Sequence, residues 1–295
     1  MPARAIVLAL CIHVMWGGNP VAVKWGLEVF PPMWSGLVRF AVGALCVGLW
    51  AVVRRERLWP APAEWPALGL VAALFMVQIT TMNMGFGGTS GSLGALLIAL
   101  NPIFAAAFAR YFVPDDKLTA GKALGLLVAF MGTAVVLSPS SADGSAEFMR
   151  IANWILLLSA LLLGARLMYS ARVIRRIGET RVMFWMMTLS LPMFLLGGAL
   201  TETLMLHNLS WRPIAGIAYQ GVAIAGVAFM ANSYLMRHHA PSVVASFNFV
   251  SPVTGVALSI WLLDEVFTVA LGVGLVMVAC GLALITRARV DRSDR

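Results

Sequence analysis

The sequence predicts an all-α integral membrane protein of ten transmembrane helices. They form two inverted five-helix repeats, with both termini in the cytoplasm. Three observations carry this expectation. Sixty per cent of the 295 residues are hydrophobic and 12% are charged, against about one quarter charged in soluble proteins. Apolar runs of about 20 residues, the length that spans a hydrocarbon core, follow one another along the whole chain. One stretch also occurs twice, as SLGALLIALNPIFAAAFARYFVPDDKLT over 92–119 and SVVASFNFVSPVTGVALSIWLLDEVFT over 242–268.

In that duplication Ser92 pairs with Ser242 and Pro102 with Pro252. After a one-residue deletion, Asp115-Asp116 pairs with Asp264-Glu265, Thr119 with Thr268, Gly125 with Gly274 and Gly132 with Gly281. Self-similarity of this kind marks a duplicated unit. The first repeat is expected over 1–138 and a linker over 139–150. The second repeat follows over 151–287, and a basic tail over 288–295.

The apolar runs lie near 4–24, 33–53, 66–86, 91–112, 119–138, 151–171, 182–201, 213–236, 241–263 and 267–286. Helix is the state expected for each, because a lipid-exposed segment must satisfy its own backbone. The first run continues through Trp16 and Pro20 with no small-residue cleavage site, so it reads as a span rather than a signal peptide. Gly17, Gly18 and Pro20 are expected to interrupt it. Gly85-Phe86-Gly87-Gly88 with Gly91 predicts a tight external turn after the third run. Pro102 and Pro252 fall inside the fourth and ninth runs, where a missing donor and a crowded preceding turn predict matching bends.

Charge predicts orientation. The net charge is +8, but the basic residues cluster at run ends rather than on a face suited to nucleic acid. With the N-terminus inside, Arg4, Arg54, Arg55, Arg57, Arg110, Lys117, Lys122, Arg172, Arg175, Arg176, Arg181, Arg237 and the tail arginines all lie on the cytoplasmic side. Five runs per repeat then make the second repeat enter from the opposite face. Inverted repeats of this kind recur in secondary transporters.

None of the 13 acidic residues falls in the middle of a run. The interior ionisable residues are His13, Lys24, Arg39 and Arg166. Lys24 and Arg166 read as snorkelling toward run ends, Arg39 stands evenly between packing and function, and His13 is a candidate protonation switch. Amides recur inside the runs: Asn19, Gln78, Asn83, Asn101, Asn153, Gln220, Asn232 and Asn248. Interhelical bonding explains any one of them; together they favour a polar path. Cys11, Cys46 and Cys280 are scattered in apolar runs and read as packing. His238-His239 lacks further ligands, so no metal is expected, nor any other cofactor. With no nucleotide-binding motif or catalytic triad, an enzyme is not expected.

The order of these features resembles the drug/metabolite transporter superfamily, of the ten-span EamA type, and most of all the YddG-type amino-acid exporters. The resemblance rests on Trp16-Gly17 with Lys24, Arg39-Phe40, Pro102 and Pro252, the acidic turns before Thr119 and Thr268, and the four paired glycines. It departs at Asp115-Asp116, where Glu is common, and at Met187, which stands opposite Arg39. It implies an exporter of small solutes in a bacterial inner membrane, with a periplasmic linker.

A zwitterion needs polar partners at both ends and an apolar wall between them. Trp16, Asn19, Gln78, Asn83, Asn101, Trp185, Tyr219 and Asn248 are the expected substrate contacts, with Pro102 and Pro252 as hinges. The expected partners are therefore the lipid bilayer and a neutral amino acid with an apolar or aromatic side chain. A multidrug or cationic-compound exporter and a passive channel remain alternatives. A monomer is compatible with this organisation.

Overall fold

A computed structural model of the chain describes residues 2–112, 120–137, 151–239, 244 and 247–293. Asp115-Asp116, the linker 139–150 and most of 240–246 lie outside the described residues. All regular structure among the described residues is helical. The helices are α1 (Ala3–Leu27), α2 (Pro32–Val53), α3 (Trp65–Gly88), α4 (Gly91–Ile98), α5 (Asn101–Phe112) and α6 (Ala120–Val136). They continue as α7 (Ile151–Ile177), α8 (Glu179–Thr201), α9 (Trp211–Ala218), a π-helical segment (Tyr219–Ala228), α10 (Phe229–His238), α11 (Val250–Leu262) and α12 (Val269–Ser293).

Six helical stretches are long and apolar enough to cross a membrane: Ala3–Leu27, Pro32–Val53, Pro62–Gly88, Ile151–Ile177, Glu179–Thr201 and Trp211–Asn232. Shorter apolar helices occupy the fourth, fifth, ninth and tenth predicted runs. Without a hydrophobic drive between helices in lipid, small residues govern how closely helices approach. Helices α6 and α12 meet at glycines. A Cβ at Gly132 would lie 2.8 Å from the Gly274 carbonyl oxygen, and one at Gly281 would lie 2.5 Å from the Gly125 carbonyl oxygen. Pairing 132 with 274 and 125 with 281 makes the two helices antiparallel. Helices α2 and α8 also pack antiparallel, with Gly36 against Phe194, Gly43 against Met187 and Gly48 against Phe184. Elsewhere α3 packs on α7, and α1 packs on α11 and on the segment from α9 through α10.

Several local expectations are corrected. Helix α1 runs unbroken through Gly17, Gly18 and Pro20. The glycines serve close approach instead: a Cβ at Gly17 would meet Thr254 Oγ1 at 1.8 Å, and one at Gly18 would meet the Tyr219 hydroxyl at 2.6 Å. The glycine-rich turn is also shorter than predicted. Gly85, Gly87 and Gly88 belong to α3, leaving Thr89-Ser90 to join α3 to α4. Gly85 and Gly88 instead let Leu156 and Ala152 of α7 approach.

Pro102 and Pro252 are not mid-helix bends. The fourth run breaks at Ala99-Leu100, and the ninth turns at 247–249. Each proline then sits in the first turn of the helix that follows, where its missing N–H costs nothing. Gly178, at φ 93°, is the single residue between α7 and α8 and uses backbone space that a side chain disfavours. The expected basic tail is helical as far as Ser293, continuous with α12.

The glycine contacts give a paired expectation. Gly132→Leu should lower stability by about 1–3 kcal/mol through overpacking. Gly69→Ala in α3, with nothing within 4 Å of the new Cβ, should be neutral or stabilising by up to about 1 kcal/mol. Thermal melts of the two purified variants check both signs.

Candidate substrate site

Polar side chains gather where α1 meets α11 and the π-helical segment. His13, only 1% exposed, sets Nδ1 2.8 Å from the Ala9 carbonyl oxygen, so that nitrogen donates. Its Nε2 lies 2.7 Å from Asn248 Oδ1. With the amide oxygen facing the ring, both nitrogens carry protons; with the amide turned, Nδ2 donates to a neutral ring. Ser251 donates to the His13 carbonyl at 3.0 Å. Trp16 stands edge-on to His13, with ring centroids 5.1 Å apart, and 6.4 Å from Phe229.

The Tyr219 hydroxyl donates to the Met15 carbonyl at 2.7 Å, passing beside Gly18. Tyr219 opens the π-helical segment, whose wider turns are uncommon and occur often at functional sites. The next residue, Gln220, donates from Nε2 to the Ala22 carbonyl at 2.8 Å and accepts from Arg39 Nη1 at 3.1 Å. One side chain therefore joins α1, α2 and the π-helical segment. The glutamine was visible among the buried amides of the sequence, but nothing there marked it as a bridge.

Other predicted contacts are distributed. Asn19 is half-buried, and its Oδ1 has no hydrogen-bond partner. Gln78 donates to Ser159 Oγ at 3.2 Å, and Ser159 returns a bond to the Gln78 carbonyl at 2.9 Å. Asn83 donates to the Pro32 carbonyl at 2.8 Å, near the α1–α2 turn. Asn101 donates to the Ile98 carbonyl at 2.9 Å and closes the break between α4 and α5. Trp185 lies apart from this group. Its indole donates to the Leu58 carbonyl at 2.8 Å, and its ring packs on Trp59 and Trp65. The site therefore draws together His13, Trp16, Tyr219 and Asn248, with Gln220, Ser251 and Thr254 added by the structure.

At the end of the bundle holding the α1–α2 and α3–α4 turns, carboxylates cap helix starts. Glu202 accepts from the backbone N–H groups of Met33 and Trp34 at 3.0 and 3.2 Å. Glu265 accepts from those of Gly91 and Ser92, the latter at 2.9 Å. A carboxylate at a helix N-terminus offsets the positive end of the helix dipole. Lys24, expected to snorkel, donates to the Phe86 and Thr89 carbonyls at 3.2 and 2.6 Å. The second acidic turn of the duplication thus holds the start of the broken fourth span.

A bundle of apolar helices with polar groups gathered in its interior is the architecture of a multi-pass membrane protein that handles solutes. Residues 3–138 and 150–287 each match the model of the EamA-like transporter family, and the chain belongs to that family. It is similar over 294 residues, at 22% identity, to the uncharacterized transporter YvbV of Bacillus subtilis (strain 168), covering 98% of this chain and 94% of that one. It is similar at 23% identity to the uncharacterized inner membrane transporter YedA of Escherichia coli (strain K12), covering 89% of this chain and 85% of the relative. A crystal structure superposes over 100% of both chains with a TM-score of 0.73 at 16% identity, which shows the fold.

Loss of a single hydrogen bond in the cluster is worth about 0.5–1.5 kcal/mol, or roughly two- to tenfold in affinity. Tyr219→Phe and Asn248→Ala should each raise the half-saturating solute concentration by that factor in a flux assay. Trp185→Ala should lower the melting temperature and leave flux per folded molecule unchanged.

Proposed function

We propose that the chain is a secondary transporter of the inner membrane that exports small metabolites by alternating access. Its foremost substrates are neutral amino acids with apolar or aromatic side chains. The observation that carries the mechanism is the antiparallel pairing of matching helices. Gly125 and Gly132 of α6 correspond in the duplication to Gly274 and Gly281 of α12. The contact of Gly132 with Gly274 becomes that of Gly281 with Gly125 when the halves are exchanged. Phe104 and Thr254, which stand opposite each other in the duplication, are each met by a glycine of the other repeat: Gly17 of α1 packs on Thr254 of α11, and Gly164 of α7 packs on Phe104 of α5. Such exchange supports ten spans as two inverted repeats, in which the halves trade conformations to face one side and then the other.

The matching breaks before Pro102 and Pro252 support a hinge role. They let the fourth and ninth spans change angle without breaking an intact helix. The His13–Asn248 pair supports a protonation-sensitive step, because the amide must turn when the ring gains or loses a proton. The cluster on α1, α11 and the π-helical segment offers hydroxyls, an amide and aromatic walls. That mixture suits a zwitterion with an apolar side chain. The absence of a buried carboxylate beside the cluster, among the described residues, weighs against a permanent cation as cargo.

Proteoliposomes carrying the purified chain should take up labelled phenylalanine or leucine with saturation, and faster when the opposite side holds unlabelled amino acid. Flux that neither saturates nor responds to trans substrate would indicate a channel; robust flux of a quaternary cation alone would indicate the drug-exporter reading.

Orientation is tested separately. In a background free of Cys11, Cys46 and Cys280, a cysteine at position 268 should react with an impermeant thiol reagent added outside whole cells, and one at position 178 should not. The opposite labelling pattern would place both termini outside.

A further inference from the structure

Two arginines sit inside this bundle with no carboxylate paired to them among the described residues. Arg39 of α2 and Arg166 of α7 are 4% and 8% exposed. Arg166 read as a snorkelling residue because the sixth run seemed to end near 171. Helix α7 in fact continues to Ile177, which puts Arg166 in its middle. Each guanidinium lies beside one ring of a single aromatic pair. Arg39 lies 4.9 Å from the Phe40 ring centroid and Arg166 lies 5.0 Å from that of Phe75. The two rings meet edge to face at 4.4 Å.

Their present partners leave charge uncompensated. Arg39 donates to Gln220, a neutral amide. Arg166 donates to the Met186 sulfur at 3.5 Å, a weak acceptor. The Nε of each is buried with no hydrogen-bond partner. Ser35, four residues before Arg39, and Ser170, four after Arg166, are also buried with unpartnered hydroxyls. At that spacing each serine shares its arginine's helix face. Buried cations of this kind need an anion.

We propose that Arg39 and Arg166, each beside one ring of the Phe40–Phe75 pair, form an anion subsite for the carboxylate of an apolar monocarboxylate solute. This rests on the transporter reading above but does not require an amino group on the cargo. The planar fork of a guanidinium matches the two oxygens of a carboxylate, and the serine hydroxyls can donate to the same group. Phe40, Phe75 and Phe194, each at most 1% exposed, surround the charges with apolar surface. That surface suits a hydrocarbon tail and penalises a multiply charged, strongly hydrated anion. One arginine comes from each family-matched segment, so a bound carboxylate would bridge the two halves of the chain.

The test uses the full chain in lipid nanodiscs at fixed ionic strength, with 3-phenylpropionate, phenylalanine and phenethylamine as probes. The acid and the amino acid should raise the melting temperature, and the amine should not. Arg39→Gln and Arg166→Gln should each weaken the acid's affinity about tenfold or more, and the Lys variants should recover part of it. If either Gln variant fails to fold, the comparison of acid with amine on the unaltered protein decides. Equal stabilisation by the amine, or by chloride at the same concentration as the acid, would overturn the proposal. So would unchanged acid affinity in both folded Gln variants. Acid binding without amino-acid flux would remove amino acids as cargo and leave the subsite standing.

Discussion

An apolar bundle offers no water to a backbone group that loses its helical partner, and this constraint decides where its helices can begin, end and break. Several helix ends at the core are met by a polar side chain. Glu202 and Glu265 receive the starts of α2 and α4, and Lys24 receives the end of α3. Asn101 closes the gap before Pro102. Tyr219, Gln220 and Ser251 supply extra donors to carbonyls along α1, the helix whose ladder Pro20 interrupts. A capping group drawn from a different helix also fixes the position of that helix. Polar satisfaction and tertiary arrangement are therefore one problem in this fold.

The glycines answer the complementary demand. Where two helices must touch through their backbones, only a residue without a side chain fits, as at Gly132 against Gly274. These contacts bring little apolar burial of their own; they permit dispersion contact along the whole length of α6 and α12. The glycines that the duplication pairs meet crosswise in space, Gly132 with Gly274 and Gly281 with Gly125.

Much of this was legible in the sequence because composition and run length follow directly from the thickness of a bilayer. The helical class, the positions of the apolar segments and the significance of the repeated glycines could all be read in that way. Local backbone state could not. Gly17, Gly18 and Pro20 are the residues of a broken helix, yet α1 stays whole because Thr254 and Tyr219 need the room that the glycines leave. Pro102 and Pro252 predicted bends, while the chain breaks one step earlier and uses each proline as a helix starter. Of the site, the amides and His13 were visible as interior polar residues. Their pairing was not, because His13 and Asn248 lie in different halves of the chain. Arg166 read as near a run end because Arg172, Arg175 and Arg176 follow it, whereas the helix itself continues through them to Ile177.

The fastening at one end of the bundle bears on timing. There, Glu202 and Glu265 tie helix starts to distant segments, the Met205 amide donates to the Val29 carbonyl at 3.0 Å, and Asn208 donates to the Glu28 carbonyl at 3.1 Å. Three of these ties lie along one seam, where Glu28, Val29, Met33 and Trp34 face Glu202, Met205 and Asn208. Bonds along one seam part together, so the rate of any opening at that end follows their sum rather than the weakest of them.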